Sequence, residues 1–244
     1  DKSAKRDEVL KGCRKTFDIV QEETKRRKEM RHYSGKDIFS SKVICGECGG
    51  FYGPKVWHST DKYRRVIWQC NRKFKRGEER CGTPHLTEEE IKAAIISAEN
   101  KRIDEKAEAI DAAIELRKML LNNDELERKA AEVEAEAEAL AGLIDRGIRE
   151  NMIAAQDQDA YRQREADLQQ RYKEKLDRLT ERRSHITDRM RRAEELGRFI
   201  DALREMKPQK EFTPAYWGAL VRKVTVYGPK DIRVEFIDGK TVKA

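Results

Sequence analysis

No stretch of this 244-residue chain approaches the run of about twenty apolar residues needed to cross a bilayer, and its first residues lack a signal-peptide core. These two absences predict a soluble, cytoplasmic chain with no membrane partner. Apolar residues make up only 38% and aromatics 7%, against 41% charged residues and a mean hydropathy of −0.91. That is too little apolar material for one large globular core, and it suits long solvated helices around a small one. Cysteine is scarce as well, with five in the chain, yet Cys45, Cys48, Cys70 and Cys81 crowd into one short stretch.

Cys45-Gly46-Glu47-Cys48-Gly49-Gly50 is a C-x-x-C knuckle. Such a turn points two thiols at one cation, and its glycines let backbone amides approach the sulfurs without a clashing Cβ. Cys70 and Cys81 can supply the remaining corners of a tetrahedral all-thiolate site. Zn2+ suits this donor set, being borderline soft and redox-inert, and a reducing cytoplasm keeps the thiols available. Four protein ligands leave no open position, so the site is structural; a catalytic metal hydrolase would need one left free. Two disulfides or four free thiols are the alternatives. His58 and His85 lie near enough in sequence to compete as ligands, while the isolated Cys13 reads as a small, partly buried side chain.

Charge is unevenly spread. Residues 1–85 hold 22 Lys and Arg against 12 Asp and Glu, residues 86–206 hold 23 against 30, and residues 207–244 hold 8 against 4. Basic ends around an acidic middle fit a body that binds a polyanion and carries a segment kept off it. The densest basic stretch runs from Lys55 to Arg80, where Lys55, Lys62, Arg64, Arg65, Arg72, Lys73, Lys75, Arg76 and Arg80 interleave with Trp57, Tyr63, Trp68 and Phe74. Lysine and arginine on a rigid ribbon can neutralise phosphates, and arginine can read guanine edges. The bland reading is a solvated loop whose aromatics, Trp68 above all, serve the core. The candidate DNA-contacting residues are Lys55, Arg64, Arg65, Arg72, Lys73, Lys75 and Arg76.

The pattern of the chain predicts four regions. Residues 1–37 are a basic N-terminal helix (Thr16 to His32) and linker. Residues 38–121 are a small β-ribbon followed by a helix, with strands at Val43-Ile44, Phe51-Tyr52 and Val66-Ile67-Trp68, and a helix start capped by Thr87 ahead of Glu88-Glu89-Glu90. Residues 122–206 begin at the break Asn122-Asn123-Asp124 and carry two heptad stripes. The first is Leu126, Ala130, Val133, Ala137, Leu140 and Ile144; the second is Tyr172, Leu176, Leu179, Arg183, Ile186, Met190 and Ala193. Two stripes predict either an antiparallel hairpin or two zippers to other chains, and the relaxed stretch from Gly147 to Ala155 favours the hairpin, an arm roughly 35–65 Å long. Arg183 on an apolar stripe marks either a specificity device or a different register. Residues 207–244 predict a short helix opened by Thr213-Pro214, then strands around Val224, Val226, Ile232, Val234 and Phe236. Those strands need something to pack on, and the ribbon needs a core. The expected fold class is therefore α+β: a small zinc β-ribbon domain, a long antiparallel coiled-coil arm inserted in it, and a C-terminal helix and strands closing it.

The order of these parts resembles the C-terminal region of large serine recombinases, the phage integrases and transposon recombinases that carry a zinc β-ribbon. Cys45, Cys48, Cys70 and Cys81 fall on the family's zinc positions, Phe17-Asp18-Ile19-Val20-Gln21 and Lys25-Arg26-Arg27 on the helix leading into that domain, and Ala155 to Tyr161 on the start of the returning arm helix. The resemblance implies a Zn2+ cofactor and a ribbon docked on double-stranded DNA of a recombination attachment site. It implies an arm that meets other recombinase subunits, with Ile144, Met152, Ile153 and Tyr161 as candidate contacts, and an accessory directionality factor bound near it. It also implies a bacterial or phage-encoded protein acting on the chromosome. The family's nucleophilic serine and arginine cluster belong to an N-terminal catalytic domain with no counterpart among these residues, so the chain is expected not to be an enzyme by itself. A zinc-stabilised coiled-coil scaffold that binds only proteins is the competing reading.

Overall fold

The computed structural model describes residues 37–74, 81–153 and 157–244. The helix expected over Thr16–His32, together with Cys13, Lys75, Arg76 and Arg80, lies outside the described residues. The fold is α+β, with strands near both ends and long helices between them. It divides into two compact units: described residues 119–192 form one, and residues 37–118 with 193–244 form the other.

In the second of these units, β1 (Val43–Cys45) leads into the cysteine knuckle, and β2 (Tyr52–Trp57) and β3 (Arg65–Cys70) pair antiparallel as a two-stranded ribbon. Helix α1 (Glu88–Asp104) starts at Thr87 with a full capping box. The Glu90 amide donates to the Thr87 hydroxyl at 3.2 Å, and the Thr87 amide donates to the Glu90 carboxylate at 2.7 Å. The Thr87 amide and hydroxyl, both donating to that carboxylate, hold the Glu90 carboxyl below its ordinary pKa. Helix α2 (Lys106–Leu121) follows after a break at Glu105, where the sequence pattern reads as one continuous helix. The break sits where buried Arg102 pairs with Glu105 at 2.8 Å and with Asp238 on the turn before the last strand.

The C-terminal residues build α5 (Pro214–Leu220), β4 (Val221–Gly228), β5 (Asp231–Phe236) and β6 (Thr241–Lys243). These strands form an antiparallel meander, and β1 adds to it parallel to β4, pairing Val43 with Val224 and Cys45 with Val226. Alternation along β5 puts Ile232, Val234 and Phe236 inside and Arg233 outside, as a period of two requires. An aromatic nucleus joins the residues before β1 to the ribbon and to α5. Phe39 packs edge-on to Trp68 at 5.8 Å and to Trp217 at 5.3 Å, and the Trp217 indole donates to the Ile38 carbonyl at 3.0 Å. Ile91 and Ile95 of α1, and Phe199 and Leu203 near the end of the long returning helix, complete the core. Strands and ribbon therefore share one core, as the apolar deficit of each predicts.

Glu99 of α1 is 1% exposed, and neither of its oxygens has a hydrogen-bond partner among the described residues. Burial pushes its pKa up to about 7. A carboxyl raised in the folded state contributes full stability below its unfolded pKa, near 4.3, and loses it as pH rises towards 7. Glu99→Gln is therefore expected to match the parent near pH 4.5 and exceed it at pH 8 by about 2–3 kcal/mol. Urea melts at the two pH values check this; an unchanged difference between them would contradict it.

In the other unit, α3 (Asp124–Ile153) and the portion of α4 (Gln158–Glu205) up to residue 192 lie antiparallel, which selects the hairpin over separate zippers. Ala130, Val133 and Leu179 form its core with Ile186 against them, and Lys175 pairs with Glu136 across the helices. At the hairpin's base, Arg189 donates to the carbonyls of Met119 at 2.5 Å and Asn122 at 3.1 Å and to the Asn123 side chain at 2.7 Å, holding the break open. The second heptad stripe differs from its reading. Leu176 is 38% exposed, and Arg183 points out to pair with Glu134 at 2.7 Å. A strict 3.5 period drifts off one face of a helix with 3.6 residues per turn, and Arg183 lands on the flank, where charges bridge helices.

Candidate metal centre and nucleic-acid interface

The backbone aims the cysteines. Cys45 closes β1, and its amide donates to the Gly50 carbonyl at 2.8 Å while the Gly49 amide donates back to the Cys45 carbonyl at 3.0 Å, a tight turn that needs Gly49 at φ +67°. The Gly46 amide donates to Val226 at 2.8 Å, fastening the knuckle to β4. Cys70 ends β3, and Cys81 is delivered by a loop that Glu47 holds, accepting from the Gly82 amide at 2.8 Å. Lys73 donates to the Thr83 carbonyl at 2.7 Å and Arg72 to the Cys48 carbonyl at 3.2 Å, bracing the same loops.

All four sulfurs lie within 4.8 Å of one another, with Cys45 and Cys81 at 3.1 Å and Cys48 and Cys70 at 3.4 Å, and none is in a disulfide. Metal–thiolate bonds of about 2.3 Å at tetrahedral angles set sulfurs about 3.8 Å apart, so a small outward shift fits one ion between them. Burial pushes the Cys70 and Cys81 thiols up. Burial also opposes ionisation of Cys45, but the Thr83 hydroxyl and the amide-side bonds of Cys48 and Glu47 outweigh it and bring that thiol down to about 7. Buried thiols held this close cannot all ionise unless a cation is among them, and this chemistry suits a zinc ribbon. Among the described residues these four make the one such group. The competing histidines are elsewhere: His58 pairs with Asp61 at 3.1 Å, and His85 packs on Trp57.

A Cβ at Gly46 would strike the ring of Tyr227. Gly46→Ala is expected to destabilise this unit by about 1–3 kcal/mol. Adding Tyr227→Ala should restore most of that stability in a thermal melt, and an additive double variant would contradict the contact.

The ribbon carries the basic candidates. Cross-strand pairing of Lys55 with Ile67 and of Trp57 with Arg65 sets Lys55 and Arg65 on one face near its outer end, both exposed, with exposed Arg64 just before β3. Exposed Arg72 and half-buried Lys73 sit at the ribbon's base, on the bonds described above. Trp68 is fully buried and Tyr63 is 66% exposed. On the arm, Ile144 and Tyr161 line a groove of roughly 270 Å³ together with Leu143 and Leu168. Met152 and Ile153 are 81% and 87% exposed at the end of α3. Sequence reasoning missed Thr83 and Glu47 around the thiols; a hydroxyl two residues after a cysteine and an acid inside the knuckle were the available signals. No described helix is long and apolar enough to cross a membrane.

Residues 38–98 match the family model of the recombinase zinc beta ribbon domain. No curated protein matches the chain. Among solved structures, a chain from the crystal structure of an LSR–DNA complex (LSR, large serine recombinase) aligns at 14% identity and a TM-score of 0.33, with 89% of this chain and 61% of that one covered.

Proposed function

From the premise that residues 38–98 are a recombinase zinc β-ribbon domain, we propose that this chain is the DNA-binding, synapsis-controlling C-terminal module of a large serine site-specific recombinase. Cys45, Cys48, Cys70 and Cys81 hold one structural Zn2+, which ties the knuckle, the end of β3 and the Cys81 loop together. The ribbon so organised docks on double-stranded attachment-site DNA. Lys55, Arg64 and Arg65 meet phosphates and bases at its outer end, with Arg72 and Lys73 near its base and Lys75 and Arg76 following in sequence. The module performs no strand cleavage itself; that chemistry belongs to a catalytic domain elsewhere in the recombinase, acting on the chromosome in the cytoplasm. The arm, with Ile144, Met152, Ile153 and Tyr161 at and near its end, contacts other subunits, and a directionality factor acts there.

The observation that carries this reading is a four-thiol cluster at the base of a basic ribbon, inside the residues matched to the recombinase family. Fluorescence anisotropy of the zinc-loaded chain with duplex DNA across a salt series tests it. Binding is expected to fall by orders of magnitude from low to moderate salt, as release of several counterions requires. Weak binding that is flat with salt, from a folded and zinc-replete protein, would favour the protein-only scaffold. The arm is tested separately: Met152→Asp with Ile153→Asp is expected to leave duplex binding intact and abolish the pairing of two DNA-bound modules in a bridging assay, and unchanged bridging would contradict its role.

A further inference from the structure

The last cross-strand pair of the ribbon, Trp57 with Arg65, is a cation–π pair. The guanidinium of Arg65 lies 5.3 Å from the centre of the Trp57 ring, and the imidazole of His85, from the loop after Cys81, rests on the same indole at 4.7 Å. The indole is thus held by strand pairing and by a second ring. Arg65 is exposed, and among the described residues its guanidinium has no hydrogen-bond or ion-pair partner. A cation–π contact with a fixed indole restricts the plane a guanidinium can adopt. A phosphate contact needs no such plane, since a lysine ammonium serves as well; bidentate bonding to the O6 and N7 of guanine does need one. A two-stranded ribbon is also of a size to enter the major groove, where those atoms lie.

We propose that Arg65 reads a guanine in the major groove, and that Trp57 and His85 are its positioning residues. The inference rests on the ribbon–duplex reading above, within which Lys55 and Arg64 supply the sequence-independent hold.

The test starts by selecting duplexes from a randomised pool with the zinc-loaded chain, then replacing each G·C pair of the preferred sequence in turn. One replacement is expected to weaken wild-type binding by about five- to a hundredfold. Arg65→Lys should bind that pair of duplexes equally while keeping the wild-type salt slope. Trp57→Leu should lose the same discrimination at unchanged slope, and Trp57→Phe should retain part of it; zinc content shows that each variant is folded. If Arg65→Lys discriminates like the wild type at every position, the arginine does not read a base and the proposal fails. A wild-type chain that binds duplex tightly without base preference also overturns it, yet leaves the ribbon reading standing. A wild-type chain that binds no duplex removes the ribbon reading as well.

Discussion

Cys70→Ser is expected to bind no zinc and to lose the ribbon as an ordered structure. Cys70 is buried at the end of β3, and its sulfur is 3.4 Å from that of Cys48, so serine leaves three thiols around a position that needs four. The ribbon has little else to hold it. Of β2 and β3, only Tyr52, Ile67, Trp68 and Cys70 contribute buried apolar side chains, with polar Gln69 buried beside them, while Val56 and Val66 at the outer end remain exposed. Structural zinc in small domains supplies roughly 10–16 kcal/mol, as much as the whole net stability of a typical domain, so its removal leaves little margin. Metal analysis should find about one zinc per parent chain and none in the variant. Hydrogen exchange should show residues 43–57 and 65–70 unprotected, while α3 keeps the protection given by its own core of Ala130, Val133 and Leu179. Dialysis of the parent against a chelator should reproduce that pattern. A zinc-free variant with an intact ribbon would show that the aromatic nucleus suffices, and the metal account would fall.

The second large effect concerns duplex binding. Replacing Lys55, Arg64 and Arg65 together with alanine removes three exposed cations that have no ion-pair partner among the described residues, so the fold is expected to survive. Each phosphate that is no longer neutralised should flatten the plot of log K against log salt by about 0.9. With Lys55 and Arg64 on phosphates and Arg65 on a base, the triple variant should show a slope reduced by about 1.8 and an affinity lower by about two to three orders of magnitude near 0.1 M salt. Anisotropy titrations at four or five salt concentrations give both numbers. A variant that binds less tightly but keeps the parent's slope would mean that those side chains act through folding and not on phosphate.

Much of this was legible in the sequence because local rules and tertiary packing agree. The knuckle, its glycines and the two later cysteines mark the thiol cluster; Thr87 and Glu90 mark a helix start; Asn122-Asn123-Asp124 marks a break; and valines at alternate positions mark β4 and β5. Apart from the two later cysteines, each signal needs only neighbours in sequence. The illegible parts depend on residues far apart. The break at Glu105 sits beside Arg102, which reaches Asp238 on a distant turn, and nothing around Glu105 announces it. The parallel pairing of Val43 with Val224 spans most of the chain. The exposure of Leu176 and Arg183 arises from small angular drift accumulated over many turns, which a list of heptads does not record. Among the basic candidates, composition gives no way to separate Lys73, whose ammonium is spent on the Thr83 carbonyl, from Lys55, which faces solvent. The packing of His85 against Trp57 joins two segments 28 residues apart, with no local signal that pairs them.

The most direct test of the central claim, that a zinc-organised ribbon is the DNA surface, is hydrogen exchange of the zinc-loaded chain with and without saturating duplex DNA. The account predicts added protection over 52–57 and 64–70, and no change over the arm residues 124–153. Protection confined to the arm, or absent from the ribbon while the duplex is bound, would contradict it.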